Sequence, residues 1–301
     1  GPVATPSRGL RPGIHRDPVV TEAAPARTGV LYVVAGPIGN LDDLSPRAAR
    51  ALAGATLVVA EDTRRTRKLL AHLGIEARLA SLPAARETER VPALIERLAA
   101  GERLALVTDA GTPAVSDPGA ALVRAALAAG HRVEPLPGAS AVTAALSASG
   151  APTTGFLFLG FLPRKGRDRR ELLEEIQRSR RAVVMFESPK RVRATLTELG
   201  PHVAGRRVVL CRELSKLHEE VAAGSISDLL ARLDAEPRGE ITLVIDGASC
   251  EASEPQTSDE ALRAYLTERI AGGQRPSMAA RDAAGALGVQ RRRAYELALA
   301  L

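Results

Sequence analysis

The residues best suited to chemistry gather in a few short stretches, and the richest is Leu104 to Gly119, LALVTDAGTPAVSDPG. Two aspartates lie there among Gly111, Pro113, Pro118 and Gly119. Glycines let backbone amides and carbonyls approach a ligand without side-chain obstruction. A plain strand-to-helix turn needs far less, so the stretch reads as a ligand loop. A second centre is the carboxylate pair Glu61 and Asp62, followed by Arg64, Arg65, Arg67 and Lys68. Helical spacing puts Arg64, Arg67 and Lys68 on one face. That face either grips a substrate or is a solvated surface whose helix Asp62 caps. The third is Leu162 to Arg170, LPRKGRDRR, with five cations in the seven residues from Arg164. Held by Pro163 and Gly166, such a loop is suited to gripping phosphates. His218 stands alone among charges and reads as structural.

Each stretch must be positioned by the element before it. Leu104 to Val107 is an apolar run without polar alternation, the pattern of a parallel strand buried on both faces. An Ala/Leu helix follows from about Ala120. The same strand, small-residue loop and helix recur. Val30 to Ala35 leads into Gly36-Pro37-Ile38-Gly39-Asn40, with Ser45 as the cap and Pro46 as the first residue of the next helix. Thr56 to Ala60 leads into Glu61, and Val133 to Leu136 into Pro137-Gly138-Ala139-Ser140-Ala141. Ligands of open α/β sheets bind outside the carboxyl ends of the strands, where these loops converge. The glycines lack the G-x-G-x-x-G spacing and no Walker lysine follows, so dinucleotide and P-loop sites are excluded.

The expected organisation is a flexible tail over 1–28, an α/β domain over 29–150 and a second α/β domain over 151–248. A small helical domain covers 257–301. Phe156 to Phe161, Arg181 to Glu187, Arg207 to Cys211 and Glu240 to Asp246 are the strands of the second domain, with His218 to Ala223 at its edge. The last helices, with a turn at Gly288 and Arg291, Arg292 and Arg293 opening the final one, have the form of a helix-turn-helix. A bundle for dimer contacts is the alternative.

Aromatic residues make up only 2% of the 301-residue chain and Trp is absent, so the cores must be built from Leu, Val and Ala. The formal net charge of +6 favours an anionic partner such as nucleic acid. Two cysteines, Cys211 and Cys250, give neither a disulfide framework nor metal-ligand spacing, which fits a reducing compartment. Nothing has the length of a membrane span or the apolar core of a signal peptide, so a cytoplasmic protein without membrane association is expected.

Taken in order, the motifs form one pattern: Gly36-Pro37-Ile38-Gly39-Asn40, AEDTRRTRKLL from Ala60, the SDPG-ended loop and Pro137-Gly138-Ala139-Ser140. The FLGFLPRKG stretch from Phe158, Phe186-Glu187-Ser188-Pro189 and RELSKLHEE from Arg212 follow. From Val30 to Asp246 the chain closely resembles the small-subunit ribosomal RNA methyltransferases of the tetrapyrrole methylase superfamily. It departs at Gly36, where the family often has Thr. Ser81-Leu82-Pro83-Ala84 also stands where relatives carry a more polar segment. The resemblance implies two α/β domains of the tetrapyrrole methylase type with S-adenosylmethionine (SAM) in the cleft between them, plus a small C-terminal helical domain. It implies methyl transfer to the ribose 2′-oxygen of a cytidine in the decoding region of 16S rRNA, by a homodimer acting on the small ribosomal subunit. The SAM contacts it implies are Pro37, Ile38, Asp109, Ala110, Gly111, Thr112, Val115, Ser116, Pro137, Gly138, Ser140, Ala141, Met185, Phe186, Gly239 and Ile241. A 2′-hydroxyl is a weak acid and a base helps. Glu61 and Asp62 lie at the proper sheet edge, while Lys165 could lower the hydroxyl's pKa as a neighbouring cation. Arg64, Arg67, Lys68, Arg164, Lys165, Arg167, Lys190 and Arg191 are expected around the mouth of the cleft, with Arg291, Arg292 and Arg293 on an RNA-docking module. A tetrapyrrole methyltransferase and a non-catalytic rRNA-binding protein are the rival readings. The basic loops weigh against the first and the small-residue loops against the second.

Overall fold

The computed structural model describes residues 29–151, 155–248, 259–287, 289 and 291–301. The expected tail 1–28, the stretch 249–258 with Cys250, and the turn residue Gly288 lie outside the described residues. In the N-terminal half, β1 (Val30–Val34), β2 (Leu57–Ala60), β3 (Leu79–Ser81), β4 (Arg103–Val107) and β5 (Arg132–Leu136) form one parallel sheet in the order β3-β2-β4-β1-β5. Helices α1 (Pro46–Gly54), α2 (Thr63–His72), α3 (Glu87–Ala99), α4 (Ala120–Ala128) and α5 (Ala141–Ser149) connect and follow the strands. Sheet residues Leu31, Val59 and Leu104 pack against Leu94 and Leu98 of α3 and Leu122 of α4. On the other face Val34, Val58 and Ala105 pack against Leu52 of α1 and Leu70 of α2. Burial on both faces explains why β2 and β4 show no polar alternation.

The helix starts carry local signals. Ser45 Oγ accepts the amide of Ala48 at 3.1 Å and Asp62 Oδ1 that of Arg64 at 2.8 Å. The residue before helix α4 is Gly119, which has no side chain to cap with, and Glu87 of α3 caps the helix from outside. Its Oε1 accepts the amides of Gly119, Ala121 and Leu122 at 3.1, 2.7 and 3.3 Å. Three orphan donors of the helix start are satisfied by one carboxylate, and the end of the ligand loop is tied to α3.

The second sheet has the order β6-β7-β10-β8-β9, with β6 (Phe156–Phe161), β7 (Ala182–Glu187), β8 (Val208–Arg212), β9 (Glu220–Gly224) and β10 (Ile241–Ile245). Only β6 and β7 run parallel; the other pairs are antiparallel. The strand latest in the chain, β10, is central and wholly buried, as its run ITLVI requires, and β9 is the expected edge. One face packs on α6 (Arg167–Arg178), α7 (Pro189–Leu199) and α8 (Ile226–Arg232) through Leu173, Ile176, Leu196 and Leu229. The other face receives Val142 and Ala145 of α5 against Val184, Val209 and Val244. Helix α5 therefore belongs to the first half by sequence and to the second by packing, and it fixes the two sheets around a shared cleft. The C-terminal helices α9 (Asp259–Ala271), α10 (Pro276–Leu287) and α11 (Arg291–Leu299) have a core of their own, with Leu262, Leu266, Ala280 and Ala294 buried. No described helix is long and apolar enough to cross a membrane.

Candidate active-site cleft

The loops after β1 and β4 are bonded together: Gly36 donates to the Gly111 carbonyl at 2.8 Å and Gly111 to the Pro37 carbonyl at 3.2 Å. The loop after β5 comes as close, since a Cβ on Gly138 would stand 2.9 Å from the Ala35 carbonyl oxygen. Between these loops and the second sheet lies a cavity of about 180 Å³. Its walls are Ile38, Ala110 to Thr112, Val115 to Asp117 and Ser140 to Val142 from the first half, with Phe161, Phe186 and Glu240 to Thr242 opposite. A second cavity of about 310 Å³ shares Ile38, Ala110 and Glu240 and adds Pro37, Gly39, Arg65, Lys68, Asp109 and Lys216 among its walls. Ala114 and Ser116 in the β4 loop have φ of 66° and 64°, and Glu213 and Ser215 after β8 have φ of 52° and 61°. Non-glycine residues hold that conformation only where their surroundings enforce it, and such residues cluster at ligand sites.

The two cavities set the carboxylates Asp109, Asp117 and Glu240 among the cations Arg65, Lys68 and Lys216. Burial, then the nearby Glu61, Asp109 and Glu240, push the half-buried Asp117 carboxyl up to about 6, against a hydrogen bond from Thr108. Glu61 is also raised, by burial and by Asp109. Asp62 moves the other way, to about 2, because the Arg64 guanidinium and amide hydrogen-bond its side chain. Asp109 is engaged on both oxygens, accepting the Asp62 amide at 3.2 Å and pairing with Arg65 at 3.3 Å. Lys216 donates to Glu213 at 2.8 Å and Glu240 at 3.1 Å. Burial opposes its charge, but these two carboxylates outweigh burial and its pKa is raised.

Of the expected cofactor contacts, Ile38, Ala110, Gly111, Thr112, Val115, Ser116, Ser140, Ala141, Phe186 and Ile241 line the first cavity, and Pro37 and Asp109 line the second. Four do not. The Met185 side chain is fully buried in the core against α6 and α7, because alternation turns it away from its neighbour Phe186. Gly239, at φ +89°, packs on Glu213, Gly138 borders a separate groove beside α5, and Pro137 lines neither cavity. The three expected catalytic groups are dispersed. Asp62 is a helix cap and a poor base, Glu61 lies near Asp109 but lines neither cavity, and Lys165 is in another groove. The cleft contributes residues that sequence reasoning missed, namely Asp117, Val142, Phe161, Thr242, Arg65 and Lys216, and Glu240, between the expected Gly239 and Ile241, lines both cavities. Among the described residues no set of His, Cys, Asp and Glu side chains is arranged to hold a metal. His218 is exposed in a groove beside Arg212.

The expected basic face is divided. Arg164, Lys165, Arg170 and Lys190 line a groove between the starts of α6 and α7, and none has a carboxylate within ion-pair distance among the described residues. Arg191 lines it too, but pairs with buried Glu187 at 3.3 Å and donates to the Leu162 carbonyl at 2.7 Å. Arg167 pairs with Glu171 at 2.6 Å. On α2, Arg65 and Lys68 turn to the cleft, whereas Arg64 folds back on Asp62 and Arg67 lines neither cleft cavity. In α11, Arg292 pairs with Glu296 and Arg293 with Asp259 of α9, so two of the three expected RNA contacts have intramolecular partners; no ion pair involves Arg291 among the described residues.

The model of the family described as Tetrapyrrole (Corrin/Porphyrin) Methylases matches residues 30–230. Among curated relatives, the Ribosomal RNA small subunit methyltransferase I of Xylella fastidiosa (strain Temecula1) is 44% identical over 89% of this chain and 98% of its own length. That of Synechocystis sp. (strain PCC 6803) is 42% identical over 91% and 98%. Solved structures share the fold at lower identity. Diphthine synthase has a TM-score of 0.58 at 16% identity, covering 72% of this chain and 90% of its own. A uroporphyrin-III C-methyltransferase from Thermus thermophilus, complexed with S-adenosylhomocysteine, has 0.53 at 19%, covering 72% and 97%. The chain belongs to the tetrapyrrole methylase family, and within it to the methyltransferases related to ribosomal RNA small subunit methyltransferase I.

Proposed function

We propose that this methyltransferase uses SAM to methylate the ribose 2′-hydroxyl of a cytidine in the decoding region of 16S rRNA, as a cytoplasmic homodimer acting on the small ribosomal subunit. The observation carrying the reading is that one chain holds both a cleft built from small-residue loops and a groove in which Arg164, Lys165, Arg170 and Lys190 lack ion-pair partners among the described residues, while Arg169 and Arg191 beside them are paired. The first suits a compact, mostly apolar cofactor and the second a polyanion.

The residues present fit SAM. Ile38, Val142, Phe186 and Ile241 offer apolar surface for the adenine, while Thr112, Ser116, Ser140 and Thr242 offer hydroxyls for ribose and amino-acid groups. Carboxylates Asp109, Asp117 and Glu240 around the cavities suit the cationic centres of the molecule. When bound, SAM supplies a methyl group on a sulfonium, a donor that needs no metal. The chain's task is then to align the nucleophile, exclude water and take a proton. In the net step the 2′-O–CH₃ bond forms as the S–CH₃ bond breaks, leaving S-adenosylhomocysteine, and the hydroxyl proton is lost. Asp117 is the group we assign to receive it. Unlike Asp62 it has no arginine partner among the described residues, it lines the cavity, and its pKa near 6 lies close to the operating pH. Arg65 and Lys68 on one side, with Arg164, Lys165, Arg170 and Lys190 on the other, are assigned to RNA phosphates. Comparing 2′-O-methylated positions in 16S rRNA from cells with and without this gene tests the reading. Loss of one cytidine modification supports it, and an unchanged map contradicts it.

A further inference from the structure

All four phenylalanines of the chain lie on two neighbouring strands, Phe156, Phe158 and Phe161 on β6 and Phe186 on β7. Phe158 meets Phe186 edge to face at 5.0 Å, and Phe161 meets Phe186 at 5.5 Å and 55°. Strict alternation would put Phe161 on the face opposite Phe158. The pairing prevents this, because Phe158 stands beside Val184 and Phe161 beside Phe186. Three steps along β6 match two along β7, a bulge made at Gly160, whose φ is +62°. Bulges of this kind re-aim a side chain beside a site. Here the extra residue returns Phe161 to the face shared with Phe158 and Phe186, at the wall of the 180 Å³ cavity. Phe158 and Phe186 are partly buried against the α5 layer, whereas Phe161 is 54% exposed. The basic loop begins just after it, at Arg164. In a sequence poor in aromatics, the bulge thus holds one half-exposed ring at the cavity wall, three residues before the first cation of the basic loop.

We propose that Phe161 is the stacking platform for the base of the nucleotide whose ribose is methylated. This rests on the RNA reading above. A nucleotide offering its 2′-oxygen to the cleft must leave its stacked helix, at an energetic cost that a planar apolar surface partly offsets. Phe161 supplies that surface without reading base identity, while its contact with Phe186 fixes the ring plane. It is a positioning residue that acts by holding the base so that the ribose faces Asp117.

The test compares wild type with Phe161→Leu and Phe161→Trp on small subunits lacking the modification. An rRNA fragment carrying the fluorescent analogue pyrrolocytidine at the acceptor gives a second readout. Loss of stacking by Leu should lower kcat/KM for RNA by about 5- to 150-fold. SAM affinity by calorimetry should stay within about twofold, the quenching of pyrrolocytidine emission on binding should disappear, and Trp should restore both rate and quenching. Wild-type kinetics for the Leu variant, or no recovery with Trp, overturns the proposal. A matching loss of SAM affinity overturns it too, since the ring would then serve the cofactor, as does a loss of dimerisation. If wild type itself methylates no cytidine 2′-hydroxyl, the underlying reading fails, whereas quenching that persists in the Leu variant refutes the platform alone.

Discussion

Replacing Asp117 by Asn separates a catalytic carboxylate from a structural one, because the two roles move stability and rate in opposite directions. The folded protein holds this proton near pH 6, against 3.8 for an unperturbed aspartate. The folded state therefore binds the proton more tightly than the unfolded chain. The stability this provides is complete below about pH 4 and is lost as the pH rises through 6. A shift of about 2 units corresponds to about 3 kcal/mol at most, and solvent screening of a half-buried group reduces it to about 1–2 kcal/mol. Asn is always neutral, so the variant should melt higher than wild type at pH 8, with the difference vanishing near pH 4. Its kcat should fall by about 10²–10⁴-fold, the usual contribution of a general base. The wild-type kcat/KM, which reports the free enzyme, should rise with pH along a limb near 6 that the variant lacks. The assays are thermal denaturation across pH and single-turnover transfer from labelled SAM. A variant that keeps kcat within about threefold and retains the acidic limb would show that Asp117 takes no proton.

Other changes test separate parts of the cleft. Gly111→Val introduces a Cβ at φ +70°, 3.3 Å from Ile38 Cγ2. It should weaken SAM binding by tenfold or more, about 1.4 kcal/mol, while circular dichroism still reports a folded protein. Gly138 is a poorer test, because the clash there is with backbone of β1's continuation and would disturb the fold. Exchanging Arg164, Lys165, Arg170 and Lys190 for Gln should lower the slope of log K for RNA against log salt by about 0.7–0.9 for each phosphate no longer neutralised, with SAM affinity unchanged; a slope equal to wild type counts against the groove. Glu87→Ala strands three amides of the α4 start and should cost about 1–3 kcal/mol of stability by denaturant titration. A chain ending at Asp246 should remain dimeric and bind SAM but lose rRNA methylation, whereas a monomer by sedimentation would place the C-terminal helices in the dimer interface.

The scaffold was readable because its signals are local. The run Leu104 to Val107 announces a doubly buried strand, Ser45 and Asp62 cap helices where expected, and small residues mark the strand ends that form the cleft. Side-chain direction was not readable where every neighbour is apolar. In AVVMFE of β7 nothing tells which face Met185 takes, and only the pairing with β10 puts it in the core while Phe186 reaches the cavity. On α2 a one-residue difference decides the outcome. Helical spacing groups Arg64 with Lys68, yet Asp62 draws Arg64 back and leaves Arg65 to pair with Asp109. Long-range placements were equally hidden. Lys216 enters the cleft only because its loop folds onto Gly39, and Asp117 gains its raised pKa from burial and from Glu61 and Glu240, distant in sequence. The bulge at Gly160 resets strand parity, so alternation alone assigns Phe161 to the wrong face.

The most direct test of the central claim is methyl transfer by the purified protein to small subunits lacking the modification, using SAM labelled in the methyl group. The rRNA is then digested to nucleosides and separated. Label is expected in 2′-O-methylcytidine alone, at one position of the decoding region. Label on a base, label on a different nucleoside, or transfer to a tetrapyrrole with none to rRNA would contradict it.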